Sequence, residues 1–374
     1  MKIDPFGVEM WMNEFETTCE LNLAETCVES MTIAELMAIA GRNDDDLSAL
    51  LPMKMTYGAI EGSKRLRTAI AGLYETVAPE RVLVTHGTIG ANELVHKTLV
   101  SRGDKVIAVT PTYQQHYSIP ESIGAEVYRL PLRREDDFRI DLGALRRLTA
   151  GGAKLIAFAN PNNPTGALMG RETLEEVAEI ARAAGAWVLS DEVYRGTEQA
   201  GDALTPSMAD IYERGISTAS VSKAFSLAGL RLGWIAGPQE VVERVMIHRD
   251  YNTISVGMLD DLFATMALEA AEKILARSRR IVRGNLATLA EWVAAEPLID
   301  WVRPEAGTTA LLKYDLDMSS REFCVALLKE TGVMFTPGSA LGMEGCVRIG
   351  YANGPEVLKA GLVRVSEFLN ARGG

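Results

Sequence analysis

The chain has 374 residues, enough for two domains or one large domain with a lobe, and its 47% hydrophobic and 24% charged residues are those of an ordinary globular protein. A formal net charge of −12 argues against nucleic acid as a partner, because neutralising a phosphate backbone needs clustered Lys and Arg. Four cysteines without CxxC spacing and only four histidines argue against a zinc site, a disulfide framework or another metal centre.

The chain opens without a basic region followed by an apolar one, and nowhere runs to about 18 apolar residues. The expectation is a cytoplasmic protein with no membrane partner. From Val8 to Ala40 there is no Gly or Pro, and acids recur at Glu20, Glu25 and Glu29. Such a stretch predicts a helix or a segment of unusual shape.

Between residues 80 and 240 short β-rich runs alternate with helical patterns, which predicts an α/β domain with a largely parallel sheet. The runs are Arg81–Thr85, Lys105–Val109, Ala125–Leu130, Lys154–Ala159, Trp187–Ser190, Ile216–Ser220 and Leu232–Ala236. Ala91–Val100 reads as a short helix. Arg171–Ala184 reads as an amphipathic one, with Leu174, Val177, Ala181 and Ala184 on one face and Gly185 as its stop. Further on, Leu259–Ala295 is mostly helical, Thr309–Tyr314 and Cys346–Gly350 read as strands, and Thr336–Ser339 reads as a loop. The expected division is a large domain over residues 45–265 and a smaller α+β domain from both chain ends, residues 1–44 and 266–374.

In open α/β sheets ligands collect at the carboxyl ends of strands, and there this sequence places its unusual residues. His86-Gly87-Thr88-Ile89 is a glycine turn opening a helix, whose free N–H groups suit a phosphate. Tyr113, after Pro111-Thr112, can stack on a planar ring. Asn160-Pro161-Asn162-Asn163-Pro164-Thr165-Gly166 is a rigid turn able to aim an amide. Asp191 ends an apolar strand and should be partly buried, which calls for a cationic partner. Ser220-Val221-Ser222-Lys223, with Arg231 eight residues on, sets an amine among hydroxyls and a cation. Asp191 and Lys223 together specify a chemistry. A carboxylate that keeps a pyridine nitrogen protonated makes the ring an electron sink, and a lysine anchors the ring's aldehyde as an imine. Displaced by a substrate amine, the same lysine is a base for the α-proton. Arg348, in an apolar strand, can grip an α-carboxylate.

These segments, from Tyr57–Arg67 through Asn160–Gly166, Asp191–Tyr194 and Ser220–Gly233 to Arg348, resemble the fold-type I pyridoxal-phosphate-dependent enzymes of the class I/II aminotransferase family, over nearly the whole chain. The resemblance implies pyridoxal 5'-phosphate bonded to Lys223, with Asp191 at the ring nitrogen, Asn163 and Tyr194 at the ring hydroxyl and Tyr113 on the ring face. It implies a phosphate held at Gly87, by the Thr88 and Ile89 amides and by Ser220, Ser222 and Arg231, with Tyr57 reaching the phosphate of a neighbouring subunit in a homodimer. It implies transfer of an amino group between an amino acid and a 2-oxo acid, with Arg348 on the α-carboxylate. Lyase, cyclase or oxidase chemistry uses the same residues and remains an alternative. Relatives carry a Gly- and Pro-containing segment where this chain has Leu21–Cys27. Some relatives acting on arginine have an acidic segment there, so Glu20, Glu25 or Glu29 is expected to meet a basic substrate side chain. In the oxidases among them a histidine stands where this chain has Cys27.

Overall fold

The computed structural model describes residues 2–372. Thirteen strands occur among these residues: β1 (Leu21–Asn22), β2 (Val82–His86), β3 (Lys105–Thr110), β4 (Glu126–Pro131), β5 (Leu155–Ala159), β6 (Trp187–Asp191), β7 (Gly215–Ser220), β8 (Leu232–Ala236), β9 (Ile299–Trp301), β10 (Thr309–Tyr314), β11 (Val333–Met334), β12 (Thr336–Pro337) and β13 (Cys346–Gly350). A seven-stranded sheet has the order β2-β8-β7-β6-β5-β3-β4. All its pairings are parallel except those of β8 with β2 and β7.

Strands β5 to β8 are buried at every position, as near-continuous apolar runs such as Leu155-Ile156-Ala157-Phe158-Ala159 require when helices cover both faces. The edge strand β4 is instead mostly exposed. Glu126 and Arg129 on it discourage pairing with another chain. The helix Arg171–Ala184 forms as expected, burying Leu174, Val177 and Ala181 and ending at Gly185 with φ 66°. Full burial of one such leucine is worth about 1.5–3 kcal/mol.

A second, antiparallel sheet has the order β12-β13-β10-β9. Its core joins Trp11, Leu23 and Val28 from one end of the chain to Phe323, Val347, Ile349 and Leu362 from the other. The Trp11 indole N–H donates to the Phe335 carbonyl at 2.8 Å.

Several sequence expectations need correction. The first helix after β2 starts at Gly87, four residues before Ala91, because the glycine turn itself begins it; it runs Gly87–Leu99. Leu259–Ala295 is mostly helical as expected, but divides at Ala270 into two helices, Met258–Glu269 and Ala271–Ala295. Thr336–Ser339 is not a plain loop: Thr336 and Pro337 pair with β13, and a 3-10 turn follows. The acid-rich N-terminal stretch is not one helix. A helix over Gly7–Phe15 gives way to β1, which pairs in parallel with β11, and then to an irregular strap. Gly350 N donates to the Leu23 carbonyl at 2.7 Å and Glu29 N to the Ala352 carbonyl at 2.8 Å. Such long-range pairing overrides the local pattern.

The strap passes so close to β13 that a Cβ on Gly350 would lie 1.7 Å from the Glu25 carbonyl oxygen. Gly350→Ala therefore has to displace backbone. It is expected to cost about 1–3 kcal/mol in urea unfolding and to weaken whatever the Glu25 turn binds.

Candidate active site

The carboxyl ends of β2, β3, β5, β6 and β7 surround a cavity of about 300 Å³, closed on its other side by the strap and by Arg348. At the β2 end, Gly87 takes φ 66° and opens the helix Gly87–Leu99, leaving the first N–H groups of that helix directed outward. Glycine is also required opposite: a Cβ on Gly233 would sit 2.4 Å from the Gly87 carbonyl carbon. Arg231 Nη1 lies 3.4 Å from Ser222 Oγ, and Ser222 N donates to Ser220 Oγ at 3.2 Å. Thr88 is buried, and its hydroxyl has no partner among the described residues. Amides at a helix start, hydroxyls and a guanidinium in one place make a cradle that can hold a dianionic phosphate.

Asp191 lines the cavity and is 4% exposed. Among the described residues no lysine or arginine pairs with it. Its Oδ2 accepts from Asn92 Nδ2 at 2.8 Å, its Oδ1 from Val193 N at 3.2 Å, and His116 Nε2 stands 3.7 Å away. Held by an amide and a backbone N–H, the Asp191 side chain has no protein lysine or arginine beside it and can pair with a cationic group entering the cavity.

Asn163 Nδ2 donates to the Tyr194 hydroxyl at 3.4 Å. Burial raises the Tyr194 pKa, against the pull of Lys223, a hydrogen bond with Thr26, and Arg348. Tyr113 donates from its hydroxyl to Glu9 Oε1 at 2.9 Å and packs its ring against Phe6. Lys223 Nζ donates to Thr26 Oγ1 at 2.7 Å and to Cys27 Sγ at 3.3 Å, with Glu25 Oε1 at 3.8 Å. Burial disfavours the Lys223 ammonium, but Cys27, Tyr194 and Glu25 outweigh it and hold the pKa above its ordinary value.

Arg348 is 3% exposed. It donates to Asn163 Oδ1 at 3.3 Å, the Ala24 carbonyl at 3.1 Å and Thr336 Oγ1 at 3.1 Å. Those acceptors are neutral, and Nε has none among the described residues. Burial lowers its pKa. A buried guanidinium whose hydrogen-bond acceptors are all neutral can receive a carboxylate.

Of the sequence candidates, Thr88, Ile89, Tyr113, Asn163, Asp191, Tyr194, Ser220, Ser222, Lys223, Arg231, Arg348 and Glu25 line this one cavity. Gly87 adjoins it as the cradle's turn. Tyr57 is not among the lining residues and is 75% exposed. The three acids singled out in the strap part company. Glu20 pairs with Arg364 at 2.7 Å and Glu29 lies against Gly354, so only Glu25 faces the cavity.

Sequence reasoning missed Glu9, Glu16, Thr26, Asn92 and His116. Glu9 and Glu16 stand seven residues apart, two turns along one helical face, a spacing that was available to be read. Both line the cavity with Glu25, and burial together with Glu25 and Glu9 raises the Glu16 pKa. Burial also pushes Glu25 up, but Lys223 and the N–H groups of Cys27 and Thr26 bring its pKa below the ordinary carboxylate value.

A mostly parallel sheet that presents a lysine, a buried carboxylate and a phosphate cradle at its carboxyl edge, with a small sheet lending an arginine, defines a fold-type I pyridoxal-phosphate enzyme. Residues 39–364 match the family described as aminotransferase class I and II, and the chain belongs to that family; its cofactor is pyridoxal 5'-phosphate. Among curated proteins it is 30% identical to a capreomycidine synthase of Streptomyces vinaceus, over 98% of this chain and 94% of that one. It is 29% identical to an arginine–pyruvate transaminase of Pseudomonas aeruginosa, over 86% of this chain and 84% of that one. Among solved structures, a PLP-dependent aminotransferase from Streptococcus suis superposes with a TM-score of 0.96 at 42% identity, covering 100% of this chain and 99% of that one. No described helix is long and apolar enough to cross a membrane.

Proposed function

We propose that the protein is an aminotransferase whose amino donor carries a cationic side chain. One observation carries this reading: side chains of both charges line the cavity. Lys223 and buried Arg348 stand there with the carboxylates Glu9, Glu16 and Glu25. An amino acid with a basic side chain can meet both, its α-carboxylate on Arg348 and its distal cation on the acids.

When bound, pyridoxal 5'-phosphate supplies an electron sink for charge developing at the α-carbon. The chain's own residues do the rest. The Gly87 turn, the Thr88 and Ile89 amides, Ser220, Ser222 and Arg231 would hold its phosphate, and Tyr113 would lie against its ring. Asn163 and Tyr194 would meet the ring hydroxyl, and Asp191 would keep the ring nitrogen protonated. Lys223 would anchor the aldehyde and serve as the carrier of the α-proton. Tyr57 and Tyr251, 75% and 93% exposed, would be covered by a second copy of the chain in a homodimer that brings Tyr57 to the partner's phosphate cradle. Sedimentation at micromolar concentration is expected to show that dimer.

Likeness to a synthase over nearly the full length favours a second reading, in which the same proton removal leads to elimination or ring closure instead of amino transfer. Arginine, lysine and ornithine supplied with pyruvate separate the two, since alanine forms only by transfer. Glu25→Gln is expected to raise KM for a basic donor about tenfold or more, the scale of a lost charge-assisted contact, while a neutral donor is little affected. An unchanged donor profile would discard the cationic-substrate reading.

A further inference from the structure

The acceptors that meet Lys223 Nζ come not from its own loop but from the strap, about two hundred residues away in the chain. The turn Glu25-Thr26-Cys27 is braced on every side. Asn22 Oδ1 accepts from the Ala24 and Glu25 N–H groups at 3.0 Å each. Glu25 Oε1 accepts from the Thr26 and Cys27 N–H groups at 2.6 and 2.8 Å, and the Thr26 carbonyl accepts from Thr308 Oγ1 at 2.7 Å. Val28 N donates to the Lys223 carbonyl at 3.4 Å, tying the strap to the lysine's own backbone. Thr26 and Cys27 are 8% and 6% exposed. A hydroxyl held this firmly is a fixed acceptor where water would otherwise be a mobile one.

We infer that Thr26, with Cys27 beside it, is a positioning residue that seats the Lys223 amine on the cavity wall and so fixes the direction from which it carries a proton. The inference rests on the proposed role of Lys223 as that carrier. As the amine takes a proton from a donor's α-carbon, the C–H electron pair stays with the donor and Nζ becomes an ammonium. Thr26 Oγ1 and Cys27 Sγ then accept two of its three N–H bonds, which leaves one free of the strap's two acceptors. The ionisable groups around Nζ are Glu25 and Cys27 from the strap, Tyr194 from the turn after β6, and more distantly Glu16. Of these the Cys27 thiol is pushed up to about 11, chiefly by burial, so it stays a neutral acceptor near pH 7.

Two readouts test this in Thr26→Val, Thr26→Ser and Cys27→Ala. The first is competitive acetylation of Lys223 across pH in full-length protein stripped of cofactor, quantified by peptide mass spectrometry. Removing the Thr26 hydroxyl is expected to lower the amine's pKa and raise its labelling near neutral pH about tenfold, the factor for one pKa unit. Cys27→Ala should shift it the same way, and Thr26→Ser should restore the wild-type profile. The second, in holoenzyme, is the α-deuterium isotope effect on kcat, expected to grow in Thr26→Val with KM little changed. Natively folded Thr26→Val with unaltered labelling and isotope effect would overturn the inference. Should that variant fail to fold, an unaltered Cys27→Ala profile does so instead. Failure of borohydride to fix cofactor on Lys223 in wild-type protein would sink the reading of the site itself, a different result.

Discussion

Lys223→Ala is expected to fold, to bind pyridoxal 5'-phosphate without bonding it, and to lose turnover by about 10⁴-fold, since the variant lacks both the covalent anchor and the proton carrier. The measurement is steady-state amino transfer beside borohydride reduction, which should fix cofactor on the wild-type peptide containing Lys223 and on no peptide of the variant. A stability signature accompanies it. In the wild type the Glu25 pKa lies below its ordinary value, partly because of Lys223. A depressed carboxylate contributes stability that is present above its unfolded pKa, near 4.5, and lost as pH falls through the folded value. Without the lysine that contribution shrinks, so urea midpoints of wild type and variant should differ at pH 7 and converge in acid. Equal midpoints at pH 7 would mean that Glu25 and Lys223 are not coupled.

The second large effect is expected at Asp191. Asp191→Ala removes a buried carboxylate from the cavity lining and leaves Asn92 Nδ2 without its 2.8 Å acceptor. A stranded buried amide costs about 1–3 kcal/mol in stability. Losing the group that keeps the ring nitrogen protonated should cost about 10²–10⁴-fold in turnover. Asp191→Asn separates the two effects. It preserves an oxygen for the Asn92 amide but carries no charge, so stability should recover while turnover stays low. A variant Asp191→Asn with nearly wild-type turnover would show that the carboxylate's charge has no part in the reaction.

Much of this was readable from residue order. The apolar strand runs and the polar residues at their ends follow from burial on both sheet faces, and the family resemblance singled out Asn163, Asp191, Ser220, Lys223 and Arg231 among them. What could not be read was set by distant pairing. The course of the strap depends on β1 meeting β11 and on Gly350 admitting the Glu25 carbonyl, contacts more than three hundred residues apart. That course decides that Glu25 faces the cavity while Glu20 meets Arg364. Thr26 and Cys27 carried no local signal for the same reason. Asn92 was missed because a polar residue one turn into a buried helix reads as an imperfection in its apolar pattern until the carboxylate opposite it is placed. Asp191 was read correctly as buried; inside the chain it meets an amide and a backbone N–H, so the cation that the sequence reading called for would be the protonated ring itself.

The deciding measurement is a single half-reaction: purified holoenzyme mixed with excess arginine and no oxo acid, with the small molecules then identified by mass spectrometry. Amino transfer from a basic donor gives one equivalent of the 2-oxo acid of arginine per active site, after which release stops until pyruvate is added and alanine appears. Continuous release of ammonia, or a cyclised or dehydrated product formed without pyruvate, would contradict it.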